Sequence, residues 1–175
     1  RPAVLSLKAY LQYSTRFFET LKLKIQLAYV TSLVVQTQSS NPFDISIFFN
    51  TFPRLQSLRY DGIVGKSWMA DVLRSQKEKL RSLDIHFSES LGDWTIDELI
   101  HFMEVQHYGF NLVIRIGTIQ KGNAEMFHNI RNLLRQQFYT DRSLPNSSRS
   151  KVIVRSGMNL FIFYLPKNKS IEAIV

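Results

Sequence analysis

A chain of 175 residues, of which 45% are hydrophobic and 21% charged, can bury a continuous core, and this composition argues against a disordered protein. The absence of cysteine excludes disulfides, Cys-ligated zinc and thiol nucleophiles, and it fits an intracellular protein, cytoplasmic or nuclear. No stretch approaches the roughly 20 apolar residues of a membrane helix, so we expect no membrane partner. Because the first residue is Arg1 and not Met, we expect a piece of a longer protein.

The formal charge of +8 is unevenly distributed along the chain. Residues 1–62 hold seven basic and three acidic residues, residues 63–117 hold six and eight, and residues 118–175 hold nine and three. A basic C-terminal third could attract phosphate backbones or acidic protein segments. The simpler interpretation is a solvated surface that keeps the chain in solution.

The first predicted elements are a helix over residues 11–27 and a strand over residues 30–36. Asp44 can then cap a short helix that carries several Phe residues. Pro53 ends this helix, since proline lacks an amide donor and clashes with the preceding turn. A strand over residues 55–60 follows directly.

Two further helices flank the next predicted strand, which covers residues 80–85. After a turn at residues 61–62, the first of them covers residues 67–79 with Ser67 as its cap. The second helix opens at Thr95, after a turn that contains Gly92 and Asp93, and carries two acidic residues in its first turn, where they suit the helix dipole.

The C-terminal part is less regular. A strand over residues 110–116 is followed by a helix over residues 123–139 and a polar loop over residues 140–150. Two apolar runs, residues 152–154 and 160–165, predict a β-hairpin. We expect this hairpin to cap the sheet edge.

One leucine-rich phrase recurs every 25 residues and predicts the architecture. Its copies are Val30–Val35, Leu55–Tyr60 and Leu80–Ile85, each with apolar residues at positions one, four and six and serine at position three. Spacings of about 20 to 29 residues with this core are typical of leucine-rich repeats, whose parallel strands line one face of a curved solenoid. That face usually binds other macromolecules, so the pattern favours binding over catalysis.

These phrases, with the Phe-Pro-Arg-Leu-Gln-Ser-Leu run at residues 52–58, resemble the irregular leucine-rich repeats found behind F-box motifs, in the style of nematode F-box-associated proteins. The resemblance covers about residues 30–116. The family's usual Asn is replaced by Gln38, Ile63 and Ser88, so we expect irregular turns. The resemblance implies a substrate receptor of a cullin-based ubiquitin ligase, whose adaptor-binding F-box would lie outside these residues, upstream of Arg1.

The predicted fold class is therefore α/β: a leucine-rich-repeat-like solenoid of short parallel strands and helices with a C-terminal β-hairpin cap. We expect one domain over residues 1–175. Its repeat core would cover about residues 30–116, and its irregular cap about residues 117–175.

Strand alternation predicts the binding surface. If Leu58 and Tyr60 point into the core, the side chains between them point outward in rows across the sheet. The predicted rows are Ser32, Ser57 and Ser82; Val34, Arg59 and Asp84; and Gln36, Asp61 and His86, with Arg115 extending the surface. A mixed-charge patch of this kind suits a polar protein segment. The competing interpretation is that Arg59 and Asp84 simply pair with each other.

The sequence gives little support for catalysis or for a cofactor, and we expect neither. No pair among the four histidines has the i, i+4 spacing of a helical zinc site. The chain also has no glycine-rich phosphate loop and no Gly-x-Ser-x-Gly elbow. We therefore expect a protein partner, with no catalytic and no metal residues.

Two alternatives remain open at this stage. A nucleic-acid-binding module would use the basic residues of the C-terminal third, which are Arg131, Arg135, Arg142, Arg149, Lys151 and Arg155, with Tyr139 stacking on a base. A structural scaffold would link other domains and tolerate charge reversal on the outward strand face. Steep salt dependence would distinguish phosphate binding from a mixed-charge protein groove.

Overall fold

A computed structural model describes residues 3–8, 27–37, 41–87, 94–117, 121–140 and 149–166, together with Phe17 and Thr20. Within these residues the protein is α/β, with one sheet of seven strands. The strands are β1 (Ala3–Lys8), β2 (Val30–Gln36), β3 (Ser57–Ile63), β4 (Ser82–Phe87), β5 (Asn111–Ile116), β6 (Lys151–Ser156) and β7 (Asn159–Tyr164). The helices are a short 3₁₀ turn at Leu27–Tyr29, then α1 (Ser46–Thr51), α2 (Trp68–Ser75), α3 (Ile96–Glu104) and α4 (Lys121–Arg135).

The strands follow one another across the sheet in chain order. Strands β1 to β6 are parallel, β7 pairs antiparallel with β6, and the sheet does not close on itself. The predicted alternation of parallel strands and helices and the predicted hairpin are confirmed. Strand β1 was not predicted, because its sequence carries no copy of the repeated phrase.

The 25-residue spacing of the phrase matches the register of three neighbouring strands. Leu33 lies opposite Leu58, and Leu58 lies opposite Leu83. The apolar positions of all three phrases are buried, as predicted. The register continues into β5, where Leu112 lies opposite Leu83 although the spacing has changed.

The core lies between the helices and one face of the sheet. Buried and half-exposed residues alternate along β3, β4 and β5, so one side of each strand enters the core. Trp68 of α2 is fully buried, with its ring centroid 6.1 Å from that of Phe87 and 5.3 Å from that of Phe102. Such aromatic pairs contribute about 0.5–1.5 kcal/mol each beyond area burial. They fix α2 and α3 against the sheet.

Local signals set several helix ends. Thr95 forms a capping box with Glu98: its Oγ1 accepts from the Glu98 N–H at 3.2 Å, and a Glu98 carboxylate oxygen accepts from the Thr95 N–H at 2.7 Å. Asp44 accepts a hydrogen bond from the Ser46 N–H at 2.9 Å at the start of α1. Helix α1 ends before Pro53, as predicted.

Helix α2 differs from its prediction in its C-terminal end and in its side-chain cap. It ends at Ser75 and not at Lys79, because Gln76 is already extended. Ser67 precedes the helix as predicted but caps no backbone group with its side chain. Its hydroxyl donates instead to the Asp71 carboxylate at 2.8 Å.

Helix α4 and the hairpin complete the described fold. Ile130 and Leu134 of α4 enter the core as predicted, although the helix ends at Arg135 and not at residue 139. The hairpin turns at Gly157, whose φ of 56° is one that glycine adopts without steric cost.

Some predictions fall outside the described residues. These are most of the helix over residues 11–27, of which Phe17 and Thr20 are helical, the turn at residues 92–93, and most of the loop over residues 140–150. In the described part of the chain, no helix combines the length and apolar character needed to cross a membrane.

Candidate functional site

The candidate site lies on the sheet face opposite the helices, which we call the open face. Strand residues that alternate with the buried ones point to this side, and no described helix packs there. Its main residues, in order across the sheet, are Val34, Arg59, Asp61, Asp84, His86, Val113, Arg115, Lys151, Ile153, Arg155 and Ile162. The sheet therefore places all six sequence-predicted site residues on one surface.

Two of the three predicted rows are present. Ser32 of β2 lies opposite Ser57 of β3, which lies opposite Ser82 of β4. Val34 lies opposite Arg59, which lies opposite Asp84. Arg115 extends the surface on β5, as predicted, and lies opposite His86.

The third predicted row is wrong at β3. Gln36 lies opposite Asp61, but Ile63 and not Asp61 lies opposite His86. The predicted turn at residues 61–62 is also wrong, because β3 continues to Ile63 and its ladder with β4 shifts after Tyr60. Such irregularities leave residues unpaired and redirect their side chains.

Four charged residues of the open face form one ionic cluster, which we call the charge cluster: Arg59, Asp61, Asp84 and Arg115. Nε of Arg115 donates to the Asp84 carboxylate at 2.5 Å, and an Arg115 terminal nitrogen contacts the Asp61 carboxylate. Nε of Arg59 lies 3.5 Å from Asp61 and 3.8 Å from Asp84. Two guanidinium groups thus neutralise two carboxylates.

The two arginines of the charge cluster have different surroundings. The Arg115 side chain is 21% exposed and contacts both carboxylates closely, whereas the Arg59 side chain is 48% exposed. Nε of Arg59 lies at ion-pair distance from both carboxylates. About half of the Arg59 side chain remains accessible to a partner, although it also pairs with Asp84 as the competing interpretation expected.

Gln36 adds a neutral contact to the cluster, because its side-chain amide donates to Asp61 at 3.2 Å. Asp61 is 17% exposed and Asp84 is 22% exposed. Both carboxylates are therefore largely held by groups of the protein itself, which fixes their orientation.

His86 lies beside this cluster, and its surroundings disfavour the charged imidazolium. Burial lowers the pKa of His86 below its ordinary value of 6.5, and the positive charge of Arg115 lowers it further. The negative charges of Asp61 and Asp84 act in the opposite direction with smaller effect. The net result is a histidine that stays neutral in the folded protein at physiological pH.

We expect this pKa shift to make stability depend on pH. The unfolded chain takes up the His86 proton near pH 6.5 while the folded protein resists it, so the free energy of unfolding falls as pH decreases through that value. His86→Gln should flatten this dependence, measured by urea unfolding between about pH 7.5 and 5.5. His101→Gln, which removes an exposed histidine of α3, is the control. Equal flattening by both substitutions would contradict the assignment.

An apolar strip lies next to the charge cluster, and it was not predicted from the sequence. Val113, Ile153 and Ile162 lie opposite one another on β5, β6 and β7, and all three are half-buried. Lys151 and Arg155 flank this strip on β6. The alternation of apolar residues in the hairpin sequence is the signal that could identify these positions, because it gives the outward-facing residues of β6 and β7.

The basic residues of the C-terminal third whose side chains are described lie on more than one side of the fold. Lys151 and Arg155 lie on the open face, whereas Arg131 lies on α4 with its guanidinium carbon 5.4 Å from the centre of the Phe161 ring. Arg135 is exposed in the last turn of α4, and Arg142 lies outside the described residues. A single phosphate-binding stripe would require these groups on one side.

Comparison with known proteins reveals no relative. No family model, no curated protein and no solved structure matched the chain. The function must therefore be argued from the open face and from the resemblance of the repeated phrases.

Proposed function

We propose that the protein is a protein-protein interaction module whose open face binds an extended segment with an apolar side chain flanked by acidic residues. The observation that carries this proposal is the central row of the open face. It runs from the ion pair of Arg59 and Asp84 directly into the apolar strip of Val113, Ile153 and Ile162. A half-exposed apolar strip bordered by charge is the surface that an amphipathic peptide covers.

The charges beside the strip favour an acidic partner. No described carboxylate pairs with Lys151 or Arg155, and the Arg59 side chain is 48% exposed. The two acidic groups of the face, Asp61 and Asp84, are already held by Arg115. The open face therefore offers unpaired positive charge around an apolar centre, which steers and orients an acidic segment.

The chain order of the strands supports a further part of the proposal. Each strand of the described sheet pairs only with its sequence neighbours, as expected of a leucine-rich-repeat-like solenoid. With the resemblance of the repeated phrases, this favours the substrate-recognition region of an F-box-type ubiquitin ligase receptor. An F-box in the full-length protein, outside these residues, would then bind the cullin adaptor.

The open-face assignment can be tested with displayed random peptides. When a library of displayed random peptides is selected for binding to the immobilised protein, it should yield peptides that combine apolar and acidic residues. Arg155→Glu should weaken their binding by about tenfold or more, since one well-placed charge contributes about 1.4 kcal/mol or more. Arg135→Glu, which reverses an exposed charge on α4, should leave binding unchanged.

Two results would overturn the assignment. One is an equal loss of peptide binding in both variants. The other is failure to enrich peptides while single-stranded DNA binds with steep salt dependence, which would favour the nucleic-acid alternative. Ile153→Thr, which keeps a β-branched residue in β6, gives a second readout of the apolar strip.

The ubiquitin-ligase part needs a separate test. We would purify the full-length protein from its own cells under proteasome inhibition and search by mass spectrometry for a cullin and its F-box adaptor. Their recovery would support the receptor role. Their absence, with other partners retained, would remove this role and leave the open-face assignment unchanged.

A further inference from the structure

A small cavity lies on the helix side of the sheet, between α4 and the β6–β7 hairpin. Its volume is about 210 Å³. It is lined by Ala124, Phe127, His128, Arg131, Ser156, Asn159 and Phe161. This cavity is separate from the open face, since Ser156 and Phe161 belong to the opposite side of the hairpin.

The register of the sheet explains why space remains at this point. Ser156 lies opposite Ile116, which lies opposite Phe87, so one core position changes from a large to a small side chain across three strands. Phe87 and Ile116 fill the core, whereas Ser156 is only 2% exposed and yet too small to do so. A serine thus replaces the apolar residue that the strand pattern predicts.

Two polar groups in this cavity have no hydrogen-bond partner among the described residues. They are the Ser156 hydroxyl and Nε of Arg131, and both atoms are buried. Buried polar groups are normally paired, and leaving one unpaired costs about 1–3 kcal/mol. Both residues line the same cavity, and each of the two groups can donate to an acceptor bound there.

The charged residues that line the cavity favour an anionic acceptor. Among the described residues no carboxylate lines it, while Arg131 brings a permanent positive charge and His128 stands at an exposed edge. The Phe161 ring, 5.4 Å from the Arg131 guanidinium carbon, holds that group in place. A guanidinium held in this way suits a planar or tetrahedral anion.

We propose that this cavity binds a small anion with a carboxylate or phosphate group, held by Arg131 and Ser156. Its volume lies below the roughly 300–1,000 Å³ of pockets for drug-sized ligands, so a nucleotide is too large and a group of few atoms fits. The site lies outside the surface of the proposed function and does not depend on it.

Binding can be measured with inorganic phosphate and malonate as probes, by calorimetry and by backbone amide NMR at constant ionic strength. We expect saturable binding of at least one probe, with the largest NMR shifts at Arg131, Ser156 and Asn159. Arg131→Gln should weaken binding by about tenfold or more, as expected for loss of a charge-assisted hydrogen bond. Arg135→Gln, which removes the same charge one turn later on α4, should change it by less than about twofold.

Ser156→Val provides a test that keeps every charge and does not depend on the folding of the Arg131 variant. Valine fills the cavity as Ile116 does in β5, and it removes the unpaired hydroxyl, so the variant should be at least as stable as the natural protein. It should nevertheless lose anion binding. Absence of saturable binding by either probe, or equal binding in Ser156→Val and the natural protein, would overturn the proposal and leave a cavity that holds water only.

Discussion

Gly62→Ala is expected to destabilise the protein by about 1–3 kcal/mol, the range for overpacking a filled core. A Cβ atom at Gly62 would overlap the Tyr60 side chain and the methyl group of Thr37. Tyr60 cannot move aside, because it is only 1% exposed and its ring lies 5.8 Å from that of Phe43 and 5.4 Å from that of Phe48. The strain must therefore reach the backbone of β3 or the packing of α1.

Gly65→Ala is the matched control for this substitution. A Cβ atom at Gly65 would meet no other atom within 4 Å. The change should be neutral or stabilise the protein by up to about 1 kcal/mol, because alanine restricts the unfolded chain. Urea unfolding of both variants gives the comparison. A cost for Gly62→Ala no larger than that for Gly65→Ala would show that β3 can relax around the added methyl group.

The site should also respond to Gly62→Ala. Gly62 lies where the β3 ladder shifts, next to Asp61, whose carboxylate contacts Arg115. A displaced β3 backbone would move Asp61 within the charge cluster. We therefore expect any binding to the open face to weaken by more than the loss of folded protein accounts for.

The repeated phrase made the central sheet predictable from sequence. A fixed spacing of 25 residues placed Leu33, Leu58 and Leu83 in one row, and strand alternation then placed Arg59 beside Asp84. Local rules were sufficient here, because both the register and the facing direction follow from the positions of buried residues.

Features that depend on tertiary contacts were not predictable. The ladder shift after Tyr60 places Ile63 and not Asp61 opposite His86, and tertiary pairing holds the Asp-Gly pair in β3, although that pair alone predicts a turn. Gln106, a buried side chain from a distant position, accepts from the Leu80 N–H at 2.9 Å just before β4. Only the fold brings such residues together.

The apolar strip was also not predictable from the sequence. Val113, Ile153 and Ile162 come from segments without the repeated phrase, and their spacing along the chain is irregular. Their alignment appears only when β6 pairs parallel with β5 and antiparallel with β7. A sequence search for repeats therefore finds the charge cluster and misses the apolar strip beside it.

Arg115→Gln is expected to lower the free energy of unfolding by about 2–3 kcal/mol. Removing one partner of a buried ion pair costs about 3–5 kcal/mol because the other charge stays buried and unpaired. The cost here is smaller because Asp61 and Asp84 remain 17% and 22% exposed. After the substitution, the nearest remaining cation among the described residues would be Arg59, whose Nε lies 3.5 Å from Asp61 and 3.8 Å from Asp84, and Asp61 would keep the Gln36 amide.

Arg59→Gln is the control and should cost less than about 1 kcal/mol, as expected for an exposed ion pair. Adding Asp84→Asn to Arg115→Gln should recover part of the lost stability, because one of the unpaired charges is removed. Urea unfolding at low and high salt gives all three values. Equal small costs for both arginine substitutions would contradict a structural role for Arg115.

Substitutions of the two arginines should therefore affect different properties, stability for Arg115 and binding for Arg59. Arg115 is largely covered and connects β5 to β3 and β4 through the two carboxylates, so its loss should act on stability. Arg59 is half exposed, so its loss should weaken binding of an acidic segment while the protein stays folded. If Arg59→Gln leaves peptide binding unchanged and Arg155→Glu abolishes it, the partner contacts the apolar strip and its basic border without reaching the charge cluster.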